Sequence, residues 1–336
     1  MKLSFSQIKD IALGASWISE GERGICFHRF PREQEQYYKA HSSDFYSKAL
    51  SSSGIKLRFR TDSESLSMKV SVSRGSSRKY FSFDVFVNGE MKTSFNNFSD
   101  CSFSGDYTRV QLPLGEFSFE TELGEGEKEV CIYFPWSVKV ALRELSLDGG
   151  AFVLPVKYKA CLVAYGDSIT QGYDALYPSR KYITRLSELL CAEEHNRAIG
   201  AELFPPQLLL CADNVSPEYV TVAYGTNDWF RCTREELERA CRETFDNVRK
   251  SYTSSKVIVI TPIWRRDMYE PSAAGDFLSV CGFIKEEAEK RGFHTVNGME
   301  LVPRDEKLFA DLFLHPNDLG FDRFYQSLEG CIGDIE

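Results

Sequence analysis

Apolar and polar residues alternate one by one through much of the first 150 positions. Residues 55–60 read Ile-Lys-Leu-Arg-Phe-Arg, 66–72 Leu-Ser-Met-Lys-Val-Ser-Val, and 81–87 Phe-Ser-Phe-Asp-Val-Phe-Val. A period of two belongs to a strand with one face in a core and the other in water, so each run predicts a strand. Asn88-Gly89 follows the third run directly and predicts a hairpin turn. Residues 109–112, 117–121, 129–134 and 138–147 are further strand candidates, and no amphipathic helix pattern separates them. Many short strands joined by turns predict a two-sheet, jelly-roll-like sandwich.

After Gly149-Gly150 the pattern changes. Residues 161–165, 219–224 and 256–260 are almost continuously apolar, as strands covered on both faces are. Helical stretches are predicted between and after them, at 179–190, 233–252 and 273–291. The second of these opens on Thr233-Arg-Glu-Glu236, a capping box. Strands alternating with helices predict a parallel sheet with helices on both sides. The expected organisation is a β-sandwich over residues 1–153 followed by an α/β/α domain over 154–336.

Composition narrows the partners. A length of 336 residues suits two domains, and 43% hydrophobic residues supply enough apolar surface for cores. The net charge of −9 argues against nucleic acid, whose binding needs a cationic face. No apolar run approaches the ~20 residues of a membrane span, so no membrane partner is expected. Gln7, Lys9 and Asp10 interrupt the N-terminal stretch, which therefore lacks the apolar core of a signal peptide. The ten dispersed cysteines, several inside apolar runs (Cys131, Cys161, Cys211), are expected to be buried and reduced, in keeping with a cytoplasmic protein. There is no Cys-x-x-Cys and no His-x-x-x-His, so no zinc site is expected.

In open parallel sheets the reactive groups gather beyond the carboxyl ends of the strands. Three segments are due to meet there: Tyr165-Gly166-Asp167-Ser168, Tyr224-Gly225-Thr226-Asn227-Asp228 and Asp311-Leu-Phe-Leu-His315-Pro316-Asn317. Ser168 is expected near a helix N-terminus, whose amides favour developing negative charge. Thr170 stands where the nucleophile elbow of α/β-hydrolases has its second glycine, so that motif is absent.

Together the segments resemble the SGNH (GDSL-type) hydrolase superfamily. Gly166-Asp167-Ser168 matches its nucleophile block, Gly225-Thr226-Asn227-Asp228 its Gly-x-Asn-Asp block, His315-Pro316-Asn317 its histidine block, and Gly200 its intervening glycine block. The resemblance implies a flavodoxin-like hydrolase domain that needs no cofactor and no metal. It implies Ser168 as nucleophile, His315 as base, and Ser168, Gly200 and Asn227 as the oxyanion hole. The acid usually stands three residues before the histidine, where this chain has Leu312; Asp311 stands four before. Either Asp311 still orients the imidazole across a longer loop, or a backbone carbonyl does so and the site is a dyad. A sandwich preceding such a domain is similar to carbohydrate esterase family two, in which dyads are known. The function so implied is hydrolysis of small acyl esters, acetyl among them, on a small molecule or glycan, through an acyl-enzyme.

Trp229 and Trp264 follow strand ends and are candidates for lining a substrate cleft, with core packing as the alternative for each. His28, His41, His195 and His294 lack a comparable context and are expected to serve packing or surface roles. Two other functions remain open: a lipase- or thioesterase-like hydrolase with an apolar groove, and a carbohydrate-binding protein with a degenerate hydrolase part.

Overall fold

The computed structural model describes residues 1–103 and 105–333. Strands β1 (Ala12–Leu13), β2 (Trp17–Gly21) and β3 (Gly24–His28) precede β4 (Lys56–Thr61), β5 (Ser65–Arg74), β6 (Ser82–Val87) and β7 (Glu90–Asn96). Strands β8 (Gly115–Glu122), β9 (Lys128–Tyr133), β10 (Val138–Leu147) and β11 (Leu154–Pro155) complete the first part. They form two antiparallel sheets, ordered β1-β4-β9-β6-β7 (with β11 on β4) and β2-β3-β10-β5-β8. The alternation works as anticipated: Leu66, Met68, Val70 and Val72 of β5 are buried with Val130 and Ile132 of β9, while the residues between them reach outward. Asn88, at φ 52°, and Gly89, at φ 83°, turn β6 into β7.

Three helices that the pattern does not predict lie in this part: α1 (Phe5–Ile11), α2 (Arg32–His41) and α3 (Ser43–Ala49). Helix α2 reads Arg-Glu-Gln-Glu-Gln-Tyr-Tyr-Lys-Ala-His and buries only Gln34 and Tyr38, so it carries no apolar stripe to recognise. Residues 109–112, expected as a strand, run as a turn and loop between β7 and β8; Val110 and Leu112 pack onto the core from there.

The second part holds a parallel sheet of β12 (Ala160–Gly166), β13 (Ala192–Asn196), β14 (Tyr219–Ala223), β15 (Lys256–Ile260) and β16 (His294–Val296). Its order, β13-β12-β14-β15-β16, is the 2-1-3-4-5 winding of flavodoxin-like folds. The helices are α4 (Ser168–Gln171), α5 (Tyr182–Leu189), α6 (Thr226–Arg231), α7 (Arg234–Ser251), α8 (Phe277–Glu289) and α9 (Asp318–Ile332). The capping box forms at the head of α7: Glu236 N–H donates to Thr233 Oγ1, and Thr233 N–H donates to Glu236 Oε2.

The two parts share a core. Phe30, Tyr38, Tyr80, Tyr107 and Trp136 belong to the same buried cluster as the strands and helices of the parallel sheet. Trp136 donates from Nε1 to Ala175 O at 2.7 Å and packs on Tyr173. Truncating a side chain so placed costs about 3–5 kcal/mol. Cys131 is buried, but Cys161 and Cys211 are half-buried and Cys101, Cys191 and Cys331 are exposed, so burial of the thiols is less general than expected. Among the described residues no helix is long and apolar enough to cross a membrane.

Candidate active site

Sheet order decides which loops become neighbours. Strands β13, β12 and β14 are adjacent, so the segments leaving their carboxyl ends, with Gly200, Ser168 and Asn227, lie side by side. Strand β12 ends at Gly166, where a Cβ would fall 2.3 Å from Thr170 Oγ1. Asp167 then caps α4, its Oδ1 accepting from Ile169 N–H at 3.0 Å. Helix α4 is a single turn ended by Gly172 at φ 113°. The expected helix dipole is therefore weak, since four residues align few peptides.

His315 arrives on the loop before α9. That loop is closed by an antiparallel bridge between Phe309 and Pro316 and by Ala310 N–H donating to His315 O at 2.8 Å. His315 Nε2 lies 2.8 Å from Ser168 Oγ, and its Nδ1 lies 2.6 Å from Asp311 Oδ2. The extra residue between acid and histidine is absorbed at Leu312, which adopts φ 55°. Asp311 Oδ1 accepts from the amides of Phe313, Leu314 and His315, which orients the carboxylate. Burial would raise the Asp311 pKa, but the His315 hydrogen bond and charge and those amides hold it at about 2. An ionised Asp311 only accepts, so Nδ1 carries the imidazole proton and Nε2 is left to accept from the Ser168 hydroxyl. Burial would lower the pKa of His315, yet Asp311 and the charge of Asp174 raise it above the ordinary value.

The prospective oxyanion donors are placed less simply. Gly200 is required where it stands, because a Cβ would meet the Tyr173 ring at 2.7 Å. Its amide, however, donates to Gln171 Oε1 at 2.7 Å and so points at that side chain. The next peptide is turned the other way. Gly200 O accepts from Lys48 Nζ at 2.8 Å, and in a planar trans peptide the following N–H, that of Ala201, points opposite. Ala201 sits at φ 72°, and among the described residues no acceptor takes the amides of Ser168 or Ala201. Asn227 Nδ2 donates to Glu202 O at 3.1 Å and lies 3.4 Å from Asp167 Oδ2. Gly225, at φ 119°, makes the turn from β14 into α6 that delivers it.

Much of this framework is held from the first part of the chain. Arg29 is fully buried and donates to Asn196 O, Ala198 O and Lys48 O at 2.8–2.9 Å; burial pushes its guanidinium down to about 9. Tyr38 donates to Glu202 Oε1 at 2.6 Å. Arg78 makes a two-pronged pair with Asp174, at 2.6 and 2.9 Å, beside His315. Arg29, Lys48, Arg78, Asp174 and Ala201 carry no motif; the positive φ of Asp174 and Ala201 emerges only with the fold. Asp174, Asp311 and His315 present ligand atoms within 4.8 Å of one another. Both carboxylates are already bound by arginine, amides and imidazole, so the trio suits proton handling rather than coordination.

Trp229 and Trp264 are both buried. Trp229 is 1% exposed, its Nε1 bound to Gly275 O and its ring edge-on to Phe277. Trp264 is buried against Phe309. Packing is the role their burial dictates. His28 pairs with Glu35, and His195 is buried near Glu193, burial holding it at about 4.

Residues 164–323 match the model of the GDSL-like Lipase/Acylhydrolase family. The chain carries a GDSL-like acylhydrolase domain. It is accordingly an ester-hydrolysing enzyme. The salicylyl-acyltransferase SsfX3 from a tetracycline biosynthetic pathway superposes with a TM-score of 0.78 at 19% identity, over 96% of this chain and 94% of that one. A putative GDSL-like lipase from Bacteroides ovatus gives 0.71 at 20%, over 98% and 96%. A family two carbohydrate esterase from Clostridium thermocellum, in complex with cellohexaose, gives 0.65 at 14%, over 96% and 98%. At such identities the likeness speaks to the fold: a β-sandwich followed by a parallel five-stranded sheet with helices. No curated protein matches the sequence.

Proposed function

We propose that this GDSL-like hydrolase is a serine esterase acting on small acyl esters, with acetyl groups on carbohydrate hydroxyls as its substrate class. The observation that carries the reading is the unbroken hydrogen-bond chain Ser168–His315–Asp311, at 2.8 and 2.6 Å. Ser168 attacks the ester carbonyl while His315 Nε2 takes its proton. Asp311 holds the imidazole and faces the imidazolium that forms, which favours a triad over a dyad. His315 then protonates the leaving alcohol, and a water activated at the same nitrogen releases the acyl group.

The tetrahedral oxyanion rests on Ser168 N–H, on the Asn227 amide and on the turn at Gly200. Within that turn the Ala201 amide is the better candidate, since Gln171 occupies the Gly200 amide. The division near residue 153 separates an accessory sandwich from the hydrolase part, yet the sandwich side supplies Arg29, Lys48 and Arg78 to the site. The carbohydrate assignment draws on the likeness to the esterase bound to cellohexaose. Likeness along the whole chain to SsfX3 favours a second reading, transfer of the acyl group to an alcohol other than water.

Turnover of p-nitrophenyl acetate tests the first reading. Ser168→Ala and His315→Ala are each expected to lose about 10,000-fold or more in kcat, and unchanged hydrolysis in either rejects the site. Faster release of acetate from acetylated oligosaccharides than of octanoate from octanoyl esters supports the substrate class; the reverse order points to a lipase. Acyl-alcohol formation outpacing hydrolysis favours transfer.

A further inference from the structure

Two carboxylates face one imidazole nitrogen. Besides Asp311, Asp174 places Oδ2 3.7 Å from His315 Nδ1. Its side chain is fully buried, and it sits at φ 89° only two residues after Gly172 at φ 113°. These two left-handed residues fold the chain back after α4, so that Tyr173 lies with its ring 5.7 Å from the imidazole and Asp174 lies behind it. The conformation is held from the sandwich side. Arg78 Nε and Nη2 grip the two carboxylate oxygens, the Tyr80 hydroxyl donates to Oδ1, and the Tyr107 hydroxyl donates to Asp174 O at 2.8 Å. A surface ion pair would need none of this. The strained backbone, the fork and the two tyrosines fix one anion beside the nitrogen that Asp311 already serves.

We propose that Asp174, presented by Arg78 and Tyr80, is a second positioning carboxylate for His315 and takes over the Nδ1–H hydrogen bond when Asp311 is removed. The inference rests on the reading of Ser168 and His315 as nucleophile and base. A shift of under 1 Å brings the imidazole from 3.7 Å to hydrogen-bonding distance. The charged groups facing His315 are Asp311 on its own loop, Asp167 at the head of α4, Asp174 after it, and Arg78 from the sandwich. Tyr80 and Tyr107 face Asp174 in turn. Of the two sandwich-linked charges, the Asp174 anion is the nearer to Nδ1 and favours the imidazolium, while Arg78 opposes it.

The experiment measures kcat/KM on p-nitrophenyl acetate against pH for the full chain and for Asp311→Ala, Asp174→Asn and the double variant. Losing a lone orienting carboxylate costs about 10,000-fold; here Asp311→Ala is expected to lose only about 10–100-fold. Asp174→Asn is expected to lose about 10-fold and to move the acid limb to lower pH, because an anion favouring the imidazolium is gone. The double variant is expected to fall further than the product of the single losses, since each carboxylate covers for the other. If Asp174→Asn does not fold because Arg78 is left unpaired, the pair Asp174→Asn with Arg78→Gln carries the test of coupling to Asp311→Ala, with a smaller acid-limb shift because the loss of Arg78 acts the other way. An Asp311→Ala as inactive as His315→Ala, a double variant no worse than the product, or an unmoved acid limb overturns the proposal. Ser168→Ala and His315→Ala run alongside: turnover in either rejects the site itself, whereas inactivity there with independent carboxylates rejects only this inference.

Discussion

The two walls around Ser168 are built from different kinds of sequence. On the parallel-sheet side, Ser168, Asn227 and His315 each leave a strand end or precede a helix within a short recognisable block. On the sandwich side, Arg29, Lys48, Arg78 and Tyr80 come from unrelated loops and helices and share no pattern, yet they hold three carbonyls of the 196–200 turn and the carboxylate of Asp174. In the proposed mechanism the first wall supplies the reacting groups. The second supplies orientation: which way a peptide faces, and where an anion stands. Buried cations suit that task, because a buried guanidinium or ammonium must find acceptors and so fixes them in place.

Substitutions on each wall measure the contrast. Asn227→Ala, on the motif side, is expected to lower kcat by about 100- to 1,000-fold with KM little changed, as loss of an oxyanion donor does; a loss confined to KM would place Asn227 in ground-state binding instead. Lys48→Met, on the bracing side, is expected to cost about 10-fold in kcat, with Lys48→Arg recovering most of it. It also leaves Gly200 O without its partner, at about 1–3 kcal/mol of stability in a denaturant titration. Full activity in Lys48→Met would show that the turn needs no brace.

The smallest effect is on stability. Burial raises Glu202 to about 8, Asp228 to about 7 and Asp318 to about 7, all near or bridging the two walls. An acid whose folded pKa is raised keeps its proton longer when folded, so its contribution is complete at low pH and lost as pH climbs through the folded value. Asp311, held at about 2, acts oppositely, losing its contribution only as pH falls below about 4. Between pH 6.5 and 8.5 the raised acids dominate, and Tm is expected to fall by about 3 °C or more. A flat or rising Tm over that window would mean these acids are solvated or paired in solution.

What the sequence discloses follows the same divide. Alternation finds most sandwich strands, and continuous apolar runs find β12, β14 and β15, because each buries a regular face. Strand β13 escapes notice: it reads Ala-Glu-Glu-His-Asn, and its Glu194 is buried only because Lys181, Thr184 and Asn196 surround it. Helices α2 and α3 are hidden for a similar reason, their buried positions being filled by Gln34, Tyr38 and Lys48. At the site, block spacing leads to Ser168, Asn227 and His315, and leaves Asp311 open because one added residue displaces it. Only in the fold does Leu312 absorb that residue, and only there does the Gly200 amide turn toward Gln171 while its neighbour's does not. Of the two roles open to Trp229 and Trp264, their burial fits core packing, since a strand end can lead into the interior as readily as toward a cleft.

The aromatic core shared by the two parts has a consequence for inheritance. A recombination event that carried off only the stretch from β12 onward would take every diagnostic block with it and leave behind Tyr38, Trp136 and both carbonyl-gripping cations. The fragment would look like a complete hydrolase on paper and lack the frame that aims it. Descendants of this architecture should therefore travel as one cassette, sandwich and sheet together.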